Sequence, residues 1–190
     1  MAPMPQVAAW QHRDARAGFE VAFFDAKGRT RVSGTTAAVE EGQAFVVRYE
    51  ITPDERWRTR STIVVGQAYG SSQRATIEAD GEGHWTVDGE AAPHLDGCLD
   101  LDLESSALTN AFPMLRLKLQ RGEAAEAPAA YVRALDLAVE RLEQRYGRLD
   151  DAGGCERYDY HASTFDFWSE IRYDAAGLVV DYPGIALRAL

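Results

Sequence analysis

Residues 127–149, APAAYVRALDLAVERLEQRYGRL, are the stretch on which the fold turns. Their Ala, Leu, Glu and Arg content favours helix on intrinsic propensity. Their apolar spacing does not. Leu135, Leu137 and Val139 alternate with Asp136, Ala138 and Glu140, and after a slip of one residue Leu142, Gln144 and Tyr146 resume a period of two. That period marks a strand, so propensity and patterning disagree, and local signals leave both readings standing.

On either side the chain speaks more plainly. Turn signals recur at DAKG (25–28), EEG (40–42), TPDE (52–55), YGSS (69–72), DGEG (80–83), VDGE (87–90) and DAAG (174–177). Between them lie short runs rich in Val, Thr, Phe, Tyr and Trp, such as QAFVVRYEIT, RSTIVVGQ, RYDYHAS and FDFWSEIRYD. Short β-prone runs punctuated this often predict a mainly β barrel, sandwich or roll. One further segment reads as helix: ESSALTNAF, 104–112, with Ser105 or Ser106 as its cap and Pro113 as its stop.

Bulk composition narrows the function. The 190 residues predict one domain, 1–190, and 46% hydrophobic with 26% charged residues is ordinary for a globular protein. Thirty acids against twenty bases give a net charge of −10, which leaves no basic surface to collect phosphates, so nucleic acid is excluded as a partner. No apolar run reaches the ~18 residues of a membrane span. MAPMPQVAAWQHRD lacks the charged start and apolar run of a signal peptide, and Cys98 and Cys155 have no CxxC spacing. The expectation is a reduced, cytoplasmic protein.

The chemistry-bearing stretch is HLDGCLDLDLE, 94–104, which sets His94, Asp96, Cys98, Asp100, Asp102 and Glu104 at alternate positions. A calcium loop starting at Asp100 fails, because Ser105 and Ala111 stand where Gly and Glu are required. Alternate residues of one strand do not converge on a tetrahedral zinc ion, so no metal is expected. As a catalytic pair, Asp100 and Asp102 would stand roughly 6.5–7 Å apart, near the spacing of a glycosidase acid and base, although every i, i+2 pair shares it. No GxSxG elbow or phosphate loop accompanies them, and no cofactor is implied. The plainest reading is a half-buried strand, leucines inward and acids toward water. Arg56, Arg58 and Arg60 in RWRTR follow the same period with opposite charge, and would pair with the aspartates if the two strands lie side by side.

The ordered motifs DERWRTR (54–60), DGEGHW (80–85), LDGCLDLD (95–102), TNAFP (109–113), QRY (144–146), YDY (158–160) and GLVVDYPG (177–184) resemble the bacterial putative glycolipid-binding family, from about Trp10 to Arg188. The resemblance implies a spiral β-roll, a long many-stranded antiparallel sheet wrapped around one central helix, usually as a homodimer. On it the helix is assigned to 104–112, and 130–149 joins the sheet. Ser106-Ala107, Thr109-Asn110-Ala111 and Pro113-Met114-Leu115-Arg116-Leu117 depart from the family's more hydroxylated and more basic pattern, which bears on the head group bound.

Such a roll would bind a lipid-like or glycolipid molecule without chemistry. The candidate ligand-binding residues are Arg58, Arg60, Asp100, Asp102, Asn110, Arg116, Tyr160, Phe165 and Tyr182, with Phe167 and Trp168 as further wall residues. Arginines suit a carboxylate or phosphate, and aromatic rings suit an acyl chain or sugar. Two alternatives stand beside this one: a glycoside or ester hydrolase using Asp100 and Asp102, and a dimeric interaction protein without ligand.

Overall fold

The computed structural model describes residues 2–25 and 30–190. The turn expected at 25–28 falls mostly outside them. From the first strand to the eighth the chain runs as a meander: β1 (Val7–His12), β2 (Ala17–Asp25), β3 (Arg31–Glu40), β4 (Gln43–Pro53), β5 (Thr59–Ala68), β6 (Ser71–Ala79), β7 (Trp85–Val87) and β8 (Glu90–Ala91). It then turns inward through β9 (Asp100–Leu103) and α1 (Ala111–Leu117). The remainder is β10 (Ala124–Glu126), β11 (Ala129–Val132), β12 (Val139–Leu142), β13 (Gln144–Arg148), β14 (Glu156–Ala162), β15 (Phe167–Tyr173), β16 (Val179–Tyr182) and β17 (Ala186–Arg188).

Fourteen of these strands form one antiparallel sheet in the order β10-β13-β14-β15-β16-β17-β1-β2-β3-β4-β5-β6-β7-β8. Two meanders thus join where β17 pairs with β1, with Trp10 opposite Arg188. Three of the tight turns, at Glu41-Gly42, Tyr69-Gly70 and Asp88-Gly89, hold both central residues at positive φ. That is the conformation whose twist matches antiparallel strands, and Gly tolerates it at no steric cost. The period-two reading of the strands holds in β4, where Phe45, Val47, Tyr49 and Ile51 are buried while Arg48 and Glu50 face out.

The long sheet closes over the middle of the chain. A small second sheet, β12-β11-β9, sits inside it with α1, and β9 lies parallel to β11. Contacts to both halves fix this interior: Thr59 N–H donates to Leu99 O (3.0 Å) and Thr36 Oγ1 to Ser105 O (2.7 Å), while from the far side the Tyr173 hydroxyl donates to Asn110 O (3.2 Å). The core is therefore continuous, from Trp10, Ile51 and Ile77 through Leu101, Leu103 and Phe112 to Tyr146 and Tyr173.

Three sequence expectations need correction or refinement. Residues 129–132, 139–142 and 144–148 are strands, as the family pattern implied, yet Leu135 and Leu137 lie in the turn between the first two: Arg133 N–H donates to Ala138 O, and Leu137 is left-handed (φ 55°). The helix is displaced. Residues 108–110 form a 3-10 turn and the α-helix runs 111–117, so Pro113 is its third residue rather than its stop. Proline lacks an N–H, but the first turn of a helix has no intrahelical use for one. Finally, the acidic row is a strand only over Asp100–Leu103, and there Asp100 and Asp102 do not face water, although Asp96 before the strand does: all four strand residues are buried, because β9 runs through the interior.

Candidate functional site: a half-polar cavity inside the roll

The end of β9 and the turn after it leave a cavity of about 330 Å³ against β11, β14 and β16. Its buried wall is polar and aromatic: Asp102, Asn110, Tyr131, Tyr160 and Tyr182 are all less than a tenth exposed. Its open side is mostly apolar, formed by Phe165 (45% exposed), Phe167 and Ile185, with the half-exposed Arg133 side chain also on the cavity wall. Phe167 lies over both tyrosines at the back, with ring centroids 6.3 Å from Tyr160 and 6.1 Å from Tyr182, and Tyr131 meets Phe165 at 5.4 Å.

The 104–110 turn carries much of the polar wall and is held from β2. Glu20, wholly buried, accepts hydrogen bonds from the Tyr49 hydroxyl (2.6 Å), the Ser106 hydroxyl and Ala107 N–H (2.8 Å). Burial pushes its pKa up, and these donors pull against that rise. Tyr49 reaches Glu20 across Gly34, where a Cβ would stand 2.2 Å from the hydroxyl.

Asp102 accepts a hydrogen bond from Thr109 Oγ1 at 2.7 Å, while Thr109 Oγ1 takes Leu103 N–H at 3.1 Å. Burial pushes the Asp102 pKa from 3.8 up to about 7, the Thr109 bond opposes this, and the charges of Asp100 and Glu104 add to it. At neutral pH the carboxyl is thus divided between its two forms. Glu104 is committed differently: Oε2 accepts Ala134 N–H (2.7 Å) and faces Arg133 Nε at 3.7 Å. Its carbonyl takes Arg16 Nη1 at 2.6 Å, and Arg16 Nη2 faces Glu40 at 3.3 Å. Arg16 Nε is buried without a partner on the same wall.

One tyrosine orients Asn110: the Tyr146 hydroxyl donates to Asn110 Oδ1 (3.0 Å), while beside it the Tyr160 hydroxyl donates to Gln144 Oε1 (2.9 Å). Since Oδ1 receives that proton, Nδ2 is the amide's remaining donor.

Five of the nine sequence candidates meet in this cavity: Asp102, Asn110, Tyr160, Phe165 and Tyr182. Asp100 and Arg116 are outside it. They form a two-pronged ion pair between β9 and α1, Nε to Oδ1 at 2.9 Å and Nη2 to Oδ2 at 2.6 Å. The expected pairing of Arg58 and Arg60 with the aspartates does not occur. Arg58 binds Asp54 (2.8 Å) and Glu82 (3.0 Å), and Arg60 Nε donates to Ala79 O (3.0 Å). The strands do approach, but through Thr59, whose Oγ1 accepts Leu101 N–H; alternation then turns both arginines to the other face. Trp168 is also outside, stacked on His161 with ring centroids 3.6 Å apart. Sequence reasoning missed Arg16, Tyr131 and Arg133. Tyr131 and Arg133 had a signal, an i, i+2 pair in YVR, whereas Arg16 sits in a turn and had none.

Among the described residues no group of three or more His, Cys, Asp and Glu is arranged to hold a metal, and no helix is long and apolar enough to cross a membrane. Cys98 and Cys155 are free thiols, and burial first, with neighbouring acids adding, pushes the Cys98 pKa up to about 11. No curated protein matches the chain. A crystal structure of a DUF1089 family protein from Pseudomonas aeruginosa is similar at 32% identity and a TM-score of 0.79, across 89% of this chain and 91% of that one. The family model described as "Putative glycolipid-binding" matches residues 7–188, and the chain belongs to that family.

Proposed function

We propose that the chain binds an amphipathic, lipid-like molecule in this cavity without transforming it, the tail leaving past Phe165, Phe167 and Ile185 and the head resting on the tyrosines, Asn110 and Asp102. The observation that carries the reading is the division of one cavity into a buried polar wall and an open apolar side. Its volume lies near the lower end of the roughly 300–1,000 Å³ usual for small-molecule sites, so it takes a compact head and the first part of a chain. The family's description supports the same class of ligand.

The hydrolase reading loses its acid–base pair, because Asp100 is bound on both oxygens by Arg116 and lies outside the cavity. We propose further that the chain is one domain and works in the cytoplasm. The exposed Phe19 and Phe23 on β2 offer apolar surface to a second copy, and sedimentation would report that homodimer.

The deciding experiment is native mass spectrometry of protein purified gently from its source cells, with lipid analysis of what it releases. A bound species of defined mass, absent from a Leu142→Trp variant that fills the cavity but keeps its circular dichroism, is the expected outcome. Equal occupancy in that variant would place the ligand elsewhere and overturn the assignment.

A further inference from the structure

The cavity's unused hydrogen-bonding capacity is lopsided. Asn110 Nδ2, the Tyr131 hydroxyl, Arg16 Nε and the terminal nitrogens of Arg133 all donate, all belong to wall residues, and none has a partner among the described residues. The neighbouring acceptors are mostly spent. Asn110 Oδ1 serves Tyr146, Gln144 Oε1 serves Tyr160, and Glu20 serves the 104–107 turn. Glu104 Oε2 accepts Ala134 N–H and faces Arg133 Nε, and Asp102 Oδ1 accepts Thr109, which leaves Glu104 Oε1 and Asp102 Oδ2 as the carboxylate oxygens set against this larger group of donors. A sugar hydroxyl both gives and accepts, so a polyol head needs the two kinds in comparable number. A wall of donors suits a head that only accepts.

Resting on the amphiphile reading above, we infer that the head group is an oxyanion, a carboxylate or phosphate-type group on an apolar tail, received by Asn110 Nδ2, the Tyr131 hydroxyl and Arg133, with Asp102 deciding whether its charge is admitted. Protonated, Asp102 is a further donor to the anion; ionised, it repels it. Facing Asp102 are Asp100 and Glu104 from its own strand and the residue after it, and Thr109 from the turn. Arg16 from the β1–β2 turn and Tyr131 and Arg133 from β11 and its end stand on the same wall, and Tyr146, Tyr160, Tyr173 and Tyr182 face it from the long sheet. Arg116 acts through Asp100. Burial keeps every one of those tyrosines neutral across the neutral range. Asp102, with its pKa near 7, changes charge in that range, while Asp100, whose pKa burial also pushes up against the pull of Arg116, lies outside the cavity.

The test measures calorimetric binding of decanesulfonate, whose charge is constant, and of decyl glucoside, whose head is neutral, each below its micelle concentration. The expected result is that the sulfonate binds the delipidated protein and weakens roughly tenfold between about pH 6 and about pH 8, as ionisation of a single group near pH 7 requires. Asp102→Asn, uncharged throughout, should bind without that trend, and Tyr131→Phe should weaken sulfonate binding roughly fivefold, the loss of one hydrogen bond. Glucoside binding equal to or tighter than the sulfonate, or sulfonate affinity flat with pH in the wild type, overturns the oxyanion inference and leaves the amphiphile reading intact. If neither probe binds, both fall.

Discussion

Asp102 shows how little of a residue's role lies in its own identity. Its carboxyl is a surface acid by sequence and a buried group in the structure, with its pKa pushed up to about 7, because both faces of β9 are covered. The native state holds its proton up to about pH 7 while the unfolded chain releases it near 3.8, so stability falls as pH rises through that window and the deficit is complete above it. Asp102→Asn should therefore stabilise the protein by roughly 1–3 kcal/mol at about pH 8 and by much less at about pH 4, read from urea midpoints at the two pH values. An equal gain at both would mean the carboxyl is not desolvated. Gly34 makes a steric counterpart. A methyl group there would meet the Tyr49 hydroxyl and displace it from Glu20, so Gly34→Ala should cost about 2–3 kcal/mol, part overpacking and part a lost buried hydrogen bond. An unchanged midpoint would show that Tyr49 can bend aside.

At the level of elements, the strand pattern was legible and the helix only partly so. Period two identified β4 and β14 because each has one face on the core, as in Tyr158 and Tyr160 buried between less buried neighbours. The same rule misread β9, since an interior strand has no wet face to set its alternation. It also misread Leu135 and Leu137, which follow a turn's contacts rather than a strand's: Leu137 packs over Gly66, whose Cβ would stand 3.1 Å from it. Arg58 was misassigned because a local competitor, Asp54, holds it. Asp54 accepts from Arg56 N–H, Arg58 N–H and Arg58 Nε, a short loop that captures the arginine before any distant strand can. The pocket needed residues from β9, β11, β14 and β16 together, and no single window of sequence contains that meeting. The Arg116–Asp100 pair that links α1 to β9 is testable in isolation. Arg116→Met leaves a buried carboxylate uncompensated and should cost roughly 3–5 kcal/mol, whereas replacing both residues by leucine should recover most of the loss. A double variant no better than the single one would show that the pair's geometry, rather than its charge, is what α1 needs.

For the whole molecule, the pH response is a contest between buried groups of opposite sign. His12, on the strand at the junction of the two meanders, is buried with neither ring nitrogen hydrogen-bonded, and burial together with the charge of Arg16 lowers its pKa from 6.5 to about 4. The unfolded chain binds that proton first. Stability contributed by neutral His12 is present above about 6.5 and lost as pH falls toward about 4, the reverse of the Asp102 trend. Replacing His12 by phenylalanine should flatten this acid limb by about 2–3 kcal/mol, visible as a smaller drop in melting temperature between about pH 7 and about pH 4.5. A limb of unchanged depth would assign acid sensitivity to other groups.

The seam beside His12 has a further consequence during synthesis. β17 is made about 175 residues after its neighbour β1, a span on the order of the whole domain. Until β17 leaves the ribosome, the nascent meander carries a bare edge, with the backbone groups of Ala9, Gln11 and their neighbours unmatched. A strand edge kept waiting is a template for any other chain nearby. The interval between translation of the two strands is therefore when this protein is most exposed to mispairing, and when a chaperone would have most to hold.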